Sequence, residues 1–459
     1  MNQSNLSDYK FGFYDKIKPY QSLPKGLSKK IVEQISFLKK EPLWMREKRL
    51  KGLELFLSKK MPIFSPDLSG LDFENLCYYT NPAKNKFQDW KNVPLEIRNT
   101  FEKIGVPEAE RKFLAGIGAQ YDSEVIYKSI SKMLAKKGVI FISMDDAVRD
   151  YPELVKQYFG TIIPSADNKF SALNSAVWSG GSFVYIPKNV KVDLPLQTYF
   201  RINSKNLGQF ERTLIIAEEG SSVHYIEGCT APIYSTDSLH AGVVEVIVKK
   251  GAHVRYSTIQ NWSKNVYNLV TKRMFVEEEG IGEWVDANIG SKITMKYPSI
   301  YLKGKKAKGS LLSLSISNKG QHQDSGGKMI HLASETSSII TSKSIIKDNG
   351  KSTFRGLIKV QKGAKNCTAK MLCHSLLLDD NGQTNSFPVV DVNEKSSRVT
   401  HEAVVSTIEE DQFFYLRSRG ISKEKAENLI VNGFVEPIVK ELPLEYAVEL
   451  NRLVQMEME

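Results

Sequence analysis

Cysteine is scarce in this chain: four residues in 459, too few for a disulfide framework. The sequence therefore reads as intracellular and reduced, with each thiol to be judged singly. No apolar run approaches the ~18–20 residues that span a bilayer, so no membrane-spanning helix is expected. The opening stretch MNQSNLSDYKFGFYDK has no charged start followed by an apolar run and a small-residue cleavage site. That argues against a secretory signal, its acidic and aromatic residues argue against a transit peptide, and a cytoplasmic location is expected. Nucleotide fingerprints are missing too. There is no G-x-x-x-x-G-K-[ST], no G-x-G-x-x-G after a strand, no H-E-x-x-H and no C-x-x-C, and Gly116-Ile117-Gly118 is only a weak near miss. The chain does not look like a self-sufficient NTPase, zinc hydrolase or thiol oxidoreductase.

What is present is ordinary globular composition, 41% apolar and 25% charged, which excludes wholesale disorder. The length predicts two or three domains. Lys plus Arg number 63 against 52 Asp plus Glu, a formal charge of +11, and the lysines are dispersed. Lys303, Lys305, Lys306 and Lys308 form a patch that could touch nucleic acid. Without an RNA-binding aromatic signature, zinc finger or helix-turn-helix beside them, a solvated surface is the better reading.

The first third has helical periodicity: Ser28 to Lys40 with Ile31, Ile35 and Leu38 on one face, then Leu43 to Lys59. Further helices are expected over Glu108 to Gly118, over Asp122 to Lys137 with Asp122 or Ser123 as N-cap, and over Met144 to Tyr158. From Phe159 the residues become β-branched and alternate with polar ones, with no helical period before Glu409. One pattern recurs: Ile215 to Gly220 and Val246 to Gly251 each run apolar strand, charged pair, glycine, Met274 to Gly280 is a weaker copy, and Leu357 to Gly363 offers a fourth. A turn at a nearly fixed interval favours a coiled β-solenoid, in which each coil buries its face only by stacking on the next, over a sandwich, which also needs many short strands but has no reason to repeat a turn. The fold class is thus α+β, with residues 1–157 a helical region, 158–400 the solenoid and 401–459 a helical tail. In that tail, helices are expected over Asp411 to Arg419, from Ser422 as cap to a stop at Gly433, and over Leu444 to Met456.

Few residues could carry chemistry. Cys229 lies where a predicted strand ends, Cys373 precedes His374, and Cys367 stands six residues before Cys373. His401 and Glu402 adjoin at the end of the β region. Thiolate, imidazole and carboxylate suit iron or iron–sulfur chemistry. The bland alternative for any single buried cysteine is an inert small hydrophobe, and Cys77 fits it best. Adjacent His401 and Glu402 on a strand would face opposite ways.

Longer motifs carry a resemblance. YIEGCTAP (225–232), STIQNWSKN (257–265), NLVTKR (268–273), QHQDSGGKMIHLA (321–333), HEAVVSTIEEDQFFYLRSRGIS (401–422) and IVNGF (430–434) resemble the SufB/SufD family of iron–sulfur cluster assembly proteins, on its SufB side. The resemblance runs from about Glu108 to Phe434. It implies a right-handed parallel β-helix between helical regions, acting as a scaffold rather than an enzyme. It also implies a SufC-like ABC ATPase docked on the C-terminal helices, so that ATP is used only through the partner. A SufD-like paralogue or a second SufB copy would complete the complex, with a SufE- or SufU-like protein and a cysteine desulfurase as sulfur donor. By the same resemblance, Cys229 is the persulfide acceptor, and Cys373 with His401 and Glu402 forms the site of a transient iron–sulfur cluster. Arg201, Asn203, Gln260, Trp262 and Lys272 resemble the family's internal sulfur path, and reduced flavin is a candidate cofactor. The chain departs from many relatives in having only Cys77 near its N-terminus and Leu416 where Phe-Tyr-Cys is common. No nucleic acid or membrane partner is expected, and a plastid stroma is the alternative location. Two other readings stay open: a SufD-like paralogue that binds no cluster, and a β-helix enzyme acting on a polyanion. Against the latter, no spaced carboxylate cluster is visible.

Overall fold

The recurring turns become one corner of a parallel solenoid of about eight coils. The computed structural model describes residues 19–458 apart from 65, 84–86, 88–89, 104–113, 205, 232–236 and 409. Strands Ser222–Thr230, His253–Trp262, Ile281–Gly290, Lys308–Ser317, Ser337–Ile346, Thr368–Leu377 and Arg398–Thr407 stack in register in one sheet. A second sheet, from Ser182–Ile186 to Gln383–Val392, forms the opposite wall. Each coil takes 26 to 32 residues, as in the pairing of Tyr267 with Ile293 and of Lys351 with Gln383. At the corner one residue per coil is left-handed: Gly220 (φ 67°), Gly251 (φ 63°), Glu279 (φ 55°), Lys306 (φ 60°), Glu335 (φ 61°) and Asn366 (φ 56°). Their N–H groups bond from coil to coil, Gly220 to the Lys250 carbonyl at 2.9 Å and Gly251 to that of Glu278 at 2.8 Å. Glycine takes this conformation at no steric cost, and the later coils hold it with other residues because the stacked corner repays the strain.

Between the walls lies an apolar core that includes Val246, Val254, Tyr256, Met274, Trp284, Ile340 and Ile358. Helices Lys29–Leu38 and Leu43–Ser58 form as the periodicity predicts, with Ser28 capping the first through a 3.3 Å bond from Ile31 N–H. They pack on helix Lys169–Val177, where Gly52 lies so close to Ala176 that a Cβ would stand 2.8 Å from its backbone nitrogen.

Four expectations need correction. Asp122 to Lys137 is not one helix: strands Gly116–Tyr121 and Glu124–Ile130 form an antiparallel hairpin, followed by short helix Lys132–Lys136. Asp122 sits in the hairpin turn at φ 53°, its carboxylate accepting from Asn203 N–H (2.6 Å) and Ser204 N–H (3.0 Å) instead of capping a helix. The helix read over Glu108 to Gly118 lies partly outside the described residues, and Gly116–Tyr121 is strand. Within the supposed all-β stretch, Lys169–Val177 is a helix with a capping box of Asn168 and Ser171. Finally, Lys423–Val439 runs through Gly433. Val431, Val435 and Ile438 are buried against the solenoid, and that burial outweighs the ~1 kcal/mol a helical glycine costs.

The two ends differ. At the N-terminal end, antiparallel strands Glu124–Ile130 and Ile140–Ser143 close the two sheets. At the other end, Gln383–Val392 and Arg398–Thr407 are the last strands of theirs. The C-terminal helices do not cover that end. Lys423–Val439 and Leu444–Met458 lie on the outer flank, against Ile259, Val285, Leu314 and Ile345.

Candidate functional site

Strand Ser222–Thr230 alternates, so Tyr225, Glu227 and Cys229 face the solenoid interior while Ile226 and Gly228 face out. Gly228 is required there: a Cβ would stand 2.9 Å from the Tyr199 ring. Cys229 is one residue from the strand end, as expected, but is only 1% exposed. Around it lies a buried polar cluster. Its Sγ is 3.6 Å from Glu227 Oε1, and the other oxygen of Glu227 accepts from the Tyr256 hydroxyl. Lys272 Nζ donates to Thr258 Oγ1 at 2.6 Å and stands 3.8 Å from Glu227 and 3.7 Å from Asp286. Lys296 Nζ is 3.3 Å from Asp286 and donates to Gln260 Oε1 at 3.2 Å. Gln260 accepts also from Asn268, Asn268 faces His240 Nδ1 at 2.7 Å, and His240 Nε2 lies 2.7 Å from Glu211.

The electrostatics follow from burial in a sealed interior. Burial pushes the Cys229 thiol well above the usual range, helped by Glu227 and Glu211 and opposed by Lys272 and Lys296. Burial draws Lys296 down to about 8, with the like charge of Lys272 adding to it and Asp286 opposing. Burial would raise Asp286, but Lys296 and Lys272 hold it below its ordinary value. For His240 burial works against the charged form, yet Glu211 and the bond to Asn268 raise it. Glu211, Glu227 and Asp286 thus face His240, Lys272 and Lys296, three acids against three bases, which is how so many ionisable groups remain buried.

From Cys229 the register leads to Cys373. Successive rungs place Cys229 beside Gln260, then Asn288, Ser315, Ser344 and Ser375. The rung of Glu227 continues through Thr258, Asp286, Ser313 and Ser342 to Cys373 itself. All are buried on the interior face, and Ser313–Ser342 (3.1 Å) and Ser344–Ser375 (2.8 Å) bond from coil to coil. The ladder spans five strand steps, about 24 Å at the usual ~4.8 Å spacing.

Cys373 is 4% exposed, and burial pushes its thiol up to about 11 against hydrogen bonds with Ser386 and Ser375. His401 and Glu402 are exposed and lie within Arg398–Thr407, not at a strand end as the sequence suggested. His401 pairs in register with Met371 and shares the interior face with Cys373; Glu402 pairs with Leu372 and turns outward, 3.4 Å from His374 Nε2. Among the described residues no group of three or more His, Cys, Asp or Glu is close enough to hold a metal ion. Cys367 and Cys77 are satisfied structurally, the first near the Thr336 hydroxyl (3.1 Å) and the Ala364 carbonyl (3.1 Å), the second against the Tyr79 carbonyl (3.3 Å).

Of the residues expected along a sulfur path, Gln260, Trp262 and Lys272 are buried in the interior, and the Trp262 ring lies 4.7 Å from that of His240. Arg201 is buried on the opposite face of its strand from Phe200, in the rung of Thr230, and Asn203 is anchored by Asp122 just beyond it. Sequence reasoning missed Glu211, Glu227, His240, Asn268, Asp286 and Lys296. The signal was there as charged residues on the interior parity of strands, but assigning parity needs the register. The lysine patch is surface: Lys305 pairs with Glu335 (2.9 Å) and Lys306 with Glu279 (3.7 Å). Among the described residues no helix is long and apolar enough to cross a membrane.

Two thiols thus lie on one interior face, joined by a polar ladder, in a solenoid with flanking helices. The comparisons carry this further. Residues 200–434 match the family model described as SUF system FeS cluster assembly, SufBD core domain, and residues 91–198 match the SufBD protein N-terminal region. The chain is similar to an "Iron-sulfur cluster assembly SufBD family protein" of Staphylococcus epidermidis, 56% identical over 99% of this chain and 98% of the relative. A Staphylococcus aureus (strain MRSA252) protein of the same description is 55% identical over the same shares. The chain belongs to the SufBD family of iron–sulfur cluster assembly proteins.

Proposed function

We propose that this chain is the SufB-type member of a cytoplasmic Suf complex: it accepts sulfur on Cys229, carries it through the solenoid interior and builds a nascent cluster at Cys373. The observation that carries this reading is the buried ladder from Cys229 through Ser313, Ser342 and Ser344 to Cys373. A paralogue that binds no cluster has no use for a thiol at each end of such a track. Iron is cargo, and Cys373 with His401 supplies part of its coordination from the interior face. Glu402 and the remaining ligands come from rearrangement at the open end or from a second chain. That end supplies the second chain's place: Val390, Val392 and Val405 occupy interior-facing positions but remain 47%, 40% and 58% exposed, since no coil covers them. A paralogue or a second copy stacking there would bury them. The ATPase docks on helix Glu410–Ser418, where Phe414 is 75% exposed beside exposed Tyr415.

The test is anaerobic co-expression with the ATPase, followed by iron, sulfide and visible absorbance of the purified complex. Cys229→Ser is expected to lose both labelled sulfur and cluster. Cys373→Ala is expected to keep sulfur on Cys229 and lose the cluster. A full cluster complement in Cys373→Ala rejects the reading.

A further inference from the structure

Cys229 must become a thiolate to take sulfur, yet burial and its carboxylate neighbours disfavour that state more than Lys272 and Lys296 favour it. It is sealed from solvent, with carboxylates among its nearest charged neighbours. Sulfur transfer requires the thiolate as nucleophile, so a route for the proton is part of the chemistry. Glu227 is on the same strand and the same face, its Oε1 3.6 Å from the sulfur. Its other oxygen accepts from Tyr256, whose ring packs between those of Tyr225 (4.9 Å) and Trp284 (5.1 Å). Lys272 faces it at 3.8 Å, fixed by its bond to Thr258. A carboxylate clamped through Oε2 by Tyr256, with Oε1 turned to both the thiol and Lys272, is the arrangement of a positioned general base.

We propose that Glu227 is the base that removes the Cys229 proton during sulfur loading, held in place by Tyr256 and Lys272. This rests on the reading of Cys229 as sulfur acceptor and adds a catalytic residue to it. The donor is a hydropersulfide, R–S–S–H. Glu227 Oε1 takes the Sγ proton as the sulfur's electron pair attacks the terminal sulfur of the donor. The donor S–S bond breaks, its pair leaves on R–S⁻, and Cys229 becomes the hydropersulfide Cys229–S–S–H. The proton on Glu227 then passes to R–S⁻. Atoms and charge balance, and no outside oxidant or reductant enters. Lys272 offsets the charge that moves to sulfur in the attack, and Lys296, Asp286 and the Glu211–His240 pair complete the set of charged groups facing the site, with Tyr225 and Tyr256 the ionisable rings beside it.

The role as base and a purely electrostatic role predict opposite signs. If Glu227 only repels the thiolate, Glu227→Gln frees Lys272 and Lys296 to stabilise it and Cys229 reacts faster. If Glu227 is the base, the same variant reacts more slowly, by about 100-fold, the lower range for general-base catalysis. The full-length protein is treated anaerobically with methyl methanethiosulfonate, a small neutral reagent that places CH₃S on thiolate sulfur. Modification of the Cys229 peptide is followed by mass from pH 6 to 9. The native protein is expected to give a rate nearly independent of pH, because the proton passes to Glu227 during the attack rather than to solvent beforehand. Glu227→Gln is expected to be slow at pH 7 and to rise tenfold per pH unit. Glu227→Asp keeps a carboxylate at a longer reach and is expected to keep the flat profile at a lower rate, and it decides the matter if the Gln variant does not fold. An unchanged or faster Glu227→Gln, or a tenfold-per-unit slope in Glu227→Asp, overturns the proposal. Labelled sulfur uptake by Cys229→Ser separates the two ideas. No uptake with a fast Glu227→Gln removes the base and leaves the acceptor, whereas full uptake removes both.

Discussion

The rungs around Cys229 and those around Cys373 belong to one continuous register and are filled in opposite ways. Near Cys229 the interior holds three acids and three bases, closed by the next coils on both sides. Near Cys373 it holds serines, Ser342, Ser344, Ser375 and Ser386, and one coil further on the solenoid ends at exposed strands. The backbone is the same in both places, so the difference is made by side chains alone. Charge is concentrated around the thiol proposed as the sulfur acceptor, away from water. Small hydroxyls, which hydrogen-bond without fixing an anion, line the proposed sulfur route. The open coil leaves the last strands, beside Cys373, exposed to solvent.

The sharpest way to break the comparison is to remove a charge from the closed half. Lys272→Met leaves Glu227 and Asp286 short of a cation, and removing one member of a buried charged group costs about 3–5 kcal/mol. A large drop in urea midpoint and melting temperature is expected. Lys359→Met, which breaks the exposed Lys359–Asp391 pair at the open end (2.9 Å), is expected to leave both where they are. Equal shifts for the two variants would mean that the interior cluster is hydrated and that the contrast between the halves is not real.

That contrast was only half legible in the sequence. The period of the solenoid could be read because Gly220 and Gly251 stand at the corner, where a left-handed residue is needed. Later corners use Glu279, Lys306 and Asn366, which look like ordinary surface residues. Cys229 and Cys373 were found as lone thiols and through family motifs, but the ladder between them was invisible. Serines spaced by whole coils become neighbours only once strand register is known. Interior lysines misled for a related reason: Lys296 reads as one of many dispersed surface cations, yet it is 1% exposed. Asp122 misled by local chemistry, because a helix cap and a hairpin turn both favour an aspartate, and here Asn203 and Ser204 supply the N–H groups it binds.

A smaller perturbation tests whether the serine ladder is the route. Ser342→Val removes the bond to Ser313 and adds a methyl group to a packed interior, at a cost of about 1–3 kcal/mol. The expected result is sulfur retained on Cys229 with most of the cluster at Cys373 lost. Ile340→Val, on the same strand and face, costs about 0.5–1.5 kcal/mol and is expected to leave the cluster intact. A normal iron and sulfide content in Ser342→Val would move the route elsewhere.

The least costly change for the chain itself lies at the open end. Val405 sits in the last strand with its side chain more than half exposed, so Val405→Lys is expected to change stability by no more than about 0.5 kcal/mol. Its effect on association is expected to be large, because an apolar cross-section that a partner must cover would instead present a charge, and an inward-pointing lysine is a common way to keep a sheet edge from pairing. Mass measurement of the chain alone and with the proposed paralogue and ATPase gives the answer. Loss of the pairing with an unchanged melting temperature places the partner on strands Gln383–Val392 and Arg398–Thr407, next to Cys373. If Val405→Lys still associates fully, the open coil is not the interface, and further ligands for the site proposed at Cys373 and His401 would then have to come from within this chain, through movement of Glu402 and His374 across the last strand.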